Sequence, residues 1–364
     1  PRAVGSVTKK CAWSRQTGIR SSNWRTWPPP DAAKQIFIGG AMSGVLGSDI
    51  CPRPWLFGQC LASGHQRTIK PGTMTHGFSD DCGPAMPAVA QAPYLAGSPT
   101  LAKVLDNELC TGCGLCAAIA GDAIRMVIDT RGFARPEVVA PIPRSAEARI
   151  ASACPGVIIA PWRAGAHPYW GPIEECATGH STDDAVRFAG SSGGMLSALA
   201  IFALEQGLVD AVVHVSADPG APLKNITHVS RTAAQIIQCA GSRYGPSPML
   251  EAIGPLLDSD ERYLLIGKPC DVSAMRQLAT VDPRVDQRFV FMLSFFCGGM
   301  PSLLGTRAIV AELGLDPDAL AAFRYRGEGW PGQATAIAND GTRKQMSYAR
   351  SWGDFLSGKV QYRC

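Results

Sequence analysis

The apolar positions give the chain three textures. Over residues 1–73 no apolar period of 3.6 or 2 persists, and Pro28-Pro29-Pro30 breaks the stretch. Trp13, Trp24, Trp27 and Trp55 are half of the eight tryptophans. This predicts an atypical leader, non-native or disordered, with Met74 as a candidate start. Residues 74–160 read as a small module: a short helical turn at Ala117–Ala120, a strand over Ile124–Asp129, a hairpin turn at Thr130–Phe133 and a second strand. Residues 156–183 read as a connector, with a turn at Tyr169-Trp170-Gly171-Pro172 and with His167 and His180 as ordinary loop histidines.

From Asp184 to Cys364 the pattern alternates between helix and strand periods. Helices are predicted at Met195–Gln206, Thr232–Cys239, Val272–Leu278 and Ser302–Leu313, and strands at Val209–Val215, Tyr263–Ile266 and Phe289–Phe296. The first helix is expected to bury Leu196, Leu199, Phe202 and Ala203 and to end at Gly207. His214 falls inside a strand, as a satisfied core-edge histidine. Asn339-Asp340-Gly341 is a turn between two short strands. The alternation predicts an α/β fold. Val360-Gln361-Tyr362 runs straight into Arg363-Cys364, and a further C-terminal portion is expected.

Composition changes this picture little. Of 364 residues, 46% are hydrophobic and 18% charged, as in soluble globular proteins. The longest apolar run, Ile36–Leu46, is too short and Gly-rich to span a bilayer, and no signal peptide opens the chain. The net charge of +4 is uneven: residues 1–73 hold ten Lys and Arg against two Asp, about +8, leaving about −4 elsewhere. The excess forms no stripe and no nucleic-acid module, so nucleic acid is not an expected partner. Thirteen cysteines, clustered in motifs, suggest metal ligation in a reducing, cytoplasmic setting.

The chemistry concentrates in Cys110-Thr111-Gly112-Cys113-Gly114-Leu115-Cys116, with Cys154-Pro155 downstream. Three thiols at this spacing on a Gly-containing loop suit three corners of a 4Fe-4S cubane, and a later Cys-Pro suits the fourth. Structural zinc usually draws two separated pairs, and a redox dithiol leaves Cys116 unexplained. Ser191-Ser192-Gly193-Gly194 opens a helix and offers backbone N–H groups to a phosphate, although many such loops only cap helices. Gly241-Ser242-Arg243-Tyr244 is a polar loop suited to a planar anion. Cys270 and Cys297 each lie just past a strand, at the edge where α/β sheets bind ligands. Phe323–Gly332, with two cations and two aromatics, reads as a hairpin or as a lid over a planar cofactor.

Taken in order, these motifs resemble the coenzyme F-420 hydrogenase/dehydrogenase beta-subunit family. The likeness runs from Leu101 to Cys364 through the Cys110 triplet with Cys154-Pro155, Arg187 with Ser191–Gly194, Gly241–Tyr244, Gly267-Lys268-Pro269-Cys270, Phe296-Cys297, Arg326–Gly332 and Arg363-Cys364. The resemblance implies a small ferredoxin-like 4Fe-4S module followed by an α/β flavin-binding domain. It implies FAD and one or two 4Fe-4S clusters, the first on Cys110, Cys113, Cys116 and Cys154. The second would use Cys270, Cys297, Cys364 and a fourth cysteine three residues beyond. FAD would sit on Arg187, Ser191, Ser192, Gly193 and Gly194, while Gly241, Ser242, Arg243, Tyr244 and Lys268 would hold flavin or substrate. Arg243 stands where the family commonly has lysine. The implied activity is an FAD- and Fe–S-dependent oxidoreductase that couples one-electron transfer to hydride chemistry. A deazaflavin or other small molecule would be the substrate, and ferredoxin or a hydrogenase/dehydrogenase subunit the partner. The alternatives are a pure electron-transfer subunit and a ferredoxin-dependent tetrapyrrole reductase. No catalytic proton donor is identified.

Overall fold

The computed structural model describes residues 34–38, 94–160 and 179–364. The four leader tryptophans, the proline run, Met74, His167 and the Tyr169–Pro172 turn lie outside the described residues. Within the leader, Lys34–Ile38 forms strand β1.

Residues 94–160 open with β2 (Tyr94–Leu95) and α1 (Pro99–Asp106). Ser98 starts α1 by accepting from the Leu101 N–H at 3.0 Å, and proline at the first helical position costs no hydrogen bond. The triplet loop leads into α2 (Leu115–Ala120). Next come the expected hairpin strands β3 (Ile124–Ile128) and β4 (Ala134–Val138), then β5 (Ile142–Pro143), which pairs with β2. Helix α3 (Arg144–Ala153) has no counterpart in the sequence reading, because Arg144-Ser-Ala-Glu-Ala-Arg149 carries little apolar period. Its Ala146 and Ile150 nevertheless close a core with Leu101, Ile124 and Ile142.

Helix α4 (Asp184–Ala189) and helix α5 (Met195–Glu205) open the larger part. Strands β6 (Ala211–Asp218) and β7 (Ala221–Ser230) form a hairpin, followed by α6 (Ala233–Gln238), α7 (Ile253–Asp258) and β8 (Tyr263–Gly267). Helices α8 (Pro269–Ala279) and α9 (Arg284–Arg288), strand β9 (Phe289–Phe295) and α10 (Leu303–Glu312) complete the layer. The sheet order is β1-β9-β8-β6-β7, parallel except for β7. The α/β class expected from the alternation is therefore observed. Strand β7 escapes the apolar pattern because Pro222, Lys224 and Asn225 interrupt it, which an antiparallel edge strand tolerates.

Alternate residues of the sheet feed two cores. Val212, Leu264 and Leu293 pack against Ala200, Ala203 and Ile236 on one face. Val213, Leu265 and Met292 pack on the other with Val272, Met275 and Leu278, and this same cluster contains Cys113, Leu115 and Ala153. On α5 the expected buried side is corrected: Phe202 is 48% exposed and Ala200 is buried instead. Almost every residue of that helix is apolar, so its period does not say which side faces inward. His214 accepts or donates across the hairpin to the Ser230 hydroxyl at 2.8 Å and is buried, as expected.

Strands β10 (Leu320–Arg324), β11 (Gln333–Ala338) and β12 (Arg343–Ser347) form a separate antiparallel sheet that packs on α10. The Tyr325–Gly332 segment is the β10–β11 hairpin connection. Among the described residues no helix is long and apolar enough to cross a membrane.

Candidate functional site

The first thiol group is built mostly from one loop. Gly114 has φ 87, and a Cβ there would lie 2.7 Å from the Pro248 carbonyl and 2.8 Å from the Glu251 N. Only glycine allows this approach, which seats the loop on Pro248–Glu251 and lets the Cys113 carbonyl accept from Leu250 N–H at 2.9 Å. Cys154 ends α3 and returns its thiol to the same place. Cys110, Cys113, Cys116 and Cys154 line one cavity whose other walls include Leu101, Val104 and Ile150.

Burial raises the pKa of all four thiols, and for Cys116 the neighbouring Cys110 and Cys154 add to that rise, to about 12. Without a metal they are therefore neutral at pH 7, and binding one must displace protons. Backbone N–H groups already point at the sulfurs: Gly112 at Cys110, Leu115 at Cys113, Ala117 at Cys116, and Gly156 and Val157 at Cys154. The Arg135 guanidinium, which donates to the Cys110 carbonyl at 3.3 Å, adds positive charge. Four soft donors ringed by N–H groups suit an iron–sulfur cube.

The second group gathers three distant segments. Helix α8 starts at Pro269, earlier than its apolar period indicates, so Cys270 lies in its first turn. Cys297 follows β9 by two residues, and Cys364 arrives with a tail that runs antiparallel to Met300–Ser302. The thiols of Cys270, Cys297 and Cys364 act on one another electrostatically, and burial first, then Asp271, pushes Cys270 up to about 12. Cys297 and Cys364 are exposed. All eight described cysteines are free, and Cys239 belongs to neither group. Among the described residues no group of three or more His, Cys, Asp or Glu is arranged to hold a single metal ion.

Lys268, expected near the Arg243 loop as a holder of flavin or substrate, bonds to Ser247 just past that loop, and the charges of Cys270 and Cys113 act on it. Its Nζ donates to Asp271 Oδ2 at 2.7 Å and to the Ser247 carbonyl at 3.0 Å, with both side chains of the ion pair buried. Burial pulls Lys268 down, but Asp271 and Cys270 outweigh it and raise it overall. Asp271 Oδ1 is buried without a hydrogen-bond partner.

The glycine loop and the Arg243 loop do meet. Ser191 Oγ accepts from Ser242 N–H at 2.7 Å, and Arg326 Nη2 donates to the Ser191 carbonyl at 3.0 Å. Gly194 is left-handed (φ 68), and α5 begins there without a side-chain cap, so its first N–H groups have no side-chain acceptor. Ser192 and Arg187 are exposed beside it. Tyr244 packs at 5.0 Å from Trp352, and Arg326 lies 4.2 Å over the Tyr348 ring. Arg243 is taken up by protein partners: it donates to Asn225 Oδ1 and to the Phe323, Pro222 and Lys224 carbonyls.

Two family models cover half of the chain: the beta-subunit N-terminal region of coenzyme F420 hydrogenase/dehydrogenase matches residues 176–254, and its C-terminal region matches residues 260–364. The chain belongs to the coenzyme F420 hydrogenase/dehydrogenase beta-subunit family. Over 135 residues it is 28% identical to the coenzyme F420 hydrogenase subunit beta of Methanosarcina barkeri, covering 36% of this chain and 46% of that protein. Over 151 residues it is 30% identical to the protein of the same description from Methanococcus voltae, covering 39% and 52%. The chain thus spans about half the length of the curated relatives it matches. A chain in a xenon-derivatized structure of the F420-reducing NiFe hydrogenase complex of Methanosarcina barkeri aligns with TM-score 0.37 and 21% identity, over 49% of this chain and 61% of that one.

Within this beta-subunit-family chain, the sequence reading missed Arg135, Asp271 and Gln361, each of which touches or lies beside a thiol group. Asp271 directly follows Cys270 and was within reach of the motif. Nothing in the sequence distinguishes Gln361.

Proposed function

We propose that the chain is an iron–sulfur flavoprotein oxidoreductase, a subunit that passes single electrons between 4Fe-4S clusters and FAD. The observation that carries this reading is the convergence of four thiols on one cavity with backbone N–H groups aimed at each sulfur. Its small module is ferredoxin-like in role, and its α/β part is the flavin-binding portion.

In this reading Cys110, Cys113, Cys116 and Cys154 hold the first cluster, and Cys270, Cys297 and Cys364 contribute to a second. The uncapped start of α5, with Arg187, Ser191, Ser192, Gly193 and Gly194, binds the FAD pyrophosphate through N–H groups and positive charge. Gly241 and Ser242 hold the partner loop against Ser191, and Tyr244 and Arg326 border the flavin. Arg243 shapes that loop from behind. When bound, FAD supplies the exchange between a hydride and single electrons. Lys268, with Asp271, keeps a fixed charge pair between the thiol groups. The hydrogenase relatives favour coenzyme F-420 as the small-molecule substrate and a hydrogenase or dehydrogenase subunit as the partner.

The test is anaerobic reconstitution with iron, sulfide and FAD, followed by iron, sulfide and flavin counts. Visible absorbance that bleaches with reduced F-420 is the expected result. Bleaching by reduced ferredoxin alone would select the electron-transfer or tetrapyrrole-reductase alternatives. A colourless protein that takes up zinc and no flavin overturns the proposal.

A further inference from the structure

The two thiol groups are joined by a short piece of chain that the proposed function does not use. Gln361 is buried, at 4% exposure, and its carboxamide is fully engaged. One Nε2 hydrogen goes to the Thr111 carbonyl at 3.2 Å, inside the Cys110–Cys113 loop. The other goes to Cys364 Sγ at 3.3 Å, in the second group. The Oε1 atom accepts at 3.1 Å from Arg135 Nη1, which also donates to the Cys110 carbonyl. Two residues on, Arg363 Nη2 donates at 3.2 Å to the carbonyl of Pro155, next to Cys154. Arg363 Nε is buried without a partner, and its charge acts on Cys154. The segment that delivers Cys364 therefore also grips the first group at two points, each adjacent to a ligand position.

We infer that Gln361 is a positioning residue that couples the two thiol groups, so that fixing Cys364 on one centre tightens the loop that holds the other. This rests on the two-centre reading of the function. The physical basis is that a buried carboxamide cannot exchange one partner for water without leaving another polar group unpaired. The Thr111 carbonyl and the Cys364 sulfur therefore keep a fixed separation while Gln361 is in place. A strut that merely stabilised the fold would not make the retention of one centre depend on the ligand of the other.

The test uses the full chain loaded anaerobically with ferrous iron and sulfide, then challenged with a ferrous chelator. The phase belonging to the first centre is the one that disappears in Cys113→Ser. Gln361→Leu should speed iron loss in that phase by about tenfold, the scale seen when a group outside the ligand shell is removed. Cys364→Ser should speed the same phase, and the double variant should lose iron no faster than Gln361→Leu alone. Gln361→Glu keeps the length and the acceptor for Arg135 but cannot donate to Thr111 or Cys364. It should behave like the leucine variant, and it replaces that variant if the latter fails to fold by circular dichroism. Rates within twofold of the parent, or effects that multiply in the double variant, overturn the inference while the function stands. A parent chain that binds no iron and sulfide overturns both.

Discussion

The two thiol groups differ in how the chain makes them. Three of the four cysteines of the first lie within seven residues of one loop, and Cys113 sits in the core shared with the sheet. The second brings one cysteine each from a helix start, a strand end and the tail, with Cys297 and Cys364 exposed. A local, buried site forms as part of the fold, whereas a long-range, open one depends on three segments already being in place. The first should thus be tied to stability and the second to surface conditions.

The sharpest way to break that contrast is to remove one ligand from each group. Cys113→Ser should abolish the iron of the first centre and lower the thermal midpoint, because its thiol is part of the core. Cys297→Ser should leave the midpoint within a few degrees of the parent while removing iron only from the second. Equal thermal losses would erase the distinction.

Lys268 belongs to both groups, so its removal should not discriminate between them. Lys268→Met leaves Asp271 as a buried, unpaired carboxylate and should cost about 3–5 kcal/mol in chemical denaturation. Adding Asp271→Asn should recover much of that loss.

A pH titration tests the sheet apart from either thiol group. Burial first, and the nearby His228 second, lower His214 from 6.5 to about 4. Between those values the unfolded chain takes a proton that the folded chain refuses, so stability is full above the window and falls as pH drops through it. The loss should approach about 3 kcal/mol, and His214→Gln should flatten that part of the curve. The smallest expected effect is at Gly194, whose φ is 68 and where a Cβ would lie 2.6 Å from the Val186 carbonyl. Gly194→Ala should cost about 1–2 kcal/mol and weaken flavin binding, while leaving both iron contents intact.

The same contrast explains what could be read from the sequence. The triplet and its helix are local, so their spacing shows them, and the β6, β8 and β9 strands are apolar runs bounded by turns. Strand β7 and helix α3 were illegible because their interiors hold proline, arginine and small residues that long-range packing tolerates. Phe202 was misplaced because α5 is apolar on every side. The Lys268–Asp271 pair was not foreseen, because the sequence does not show that Asp271 folds back onto its neighbour three residues before. The Gln361 contacts span up to 250 residues of separation, and no motif encodes them.

Gly114 carries one more consequence. Because its backbone lies against Pro248 and Glu251, the cysteine loop has no finished surface of its own on that side. Grafting residues 94–160 onto another scaffold would strip away Met249, Leu250, Ile253 and Leu257, which share a core with Cys113 and Leu115. The segment is thus a poor interchangeable cassette for electron-transfer engineering, and a useful transplant would have to carry Ser247–Leu257 along with it.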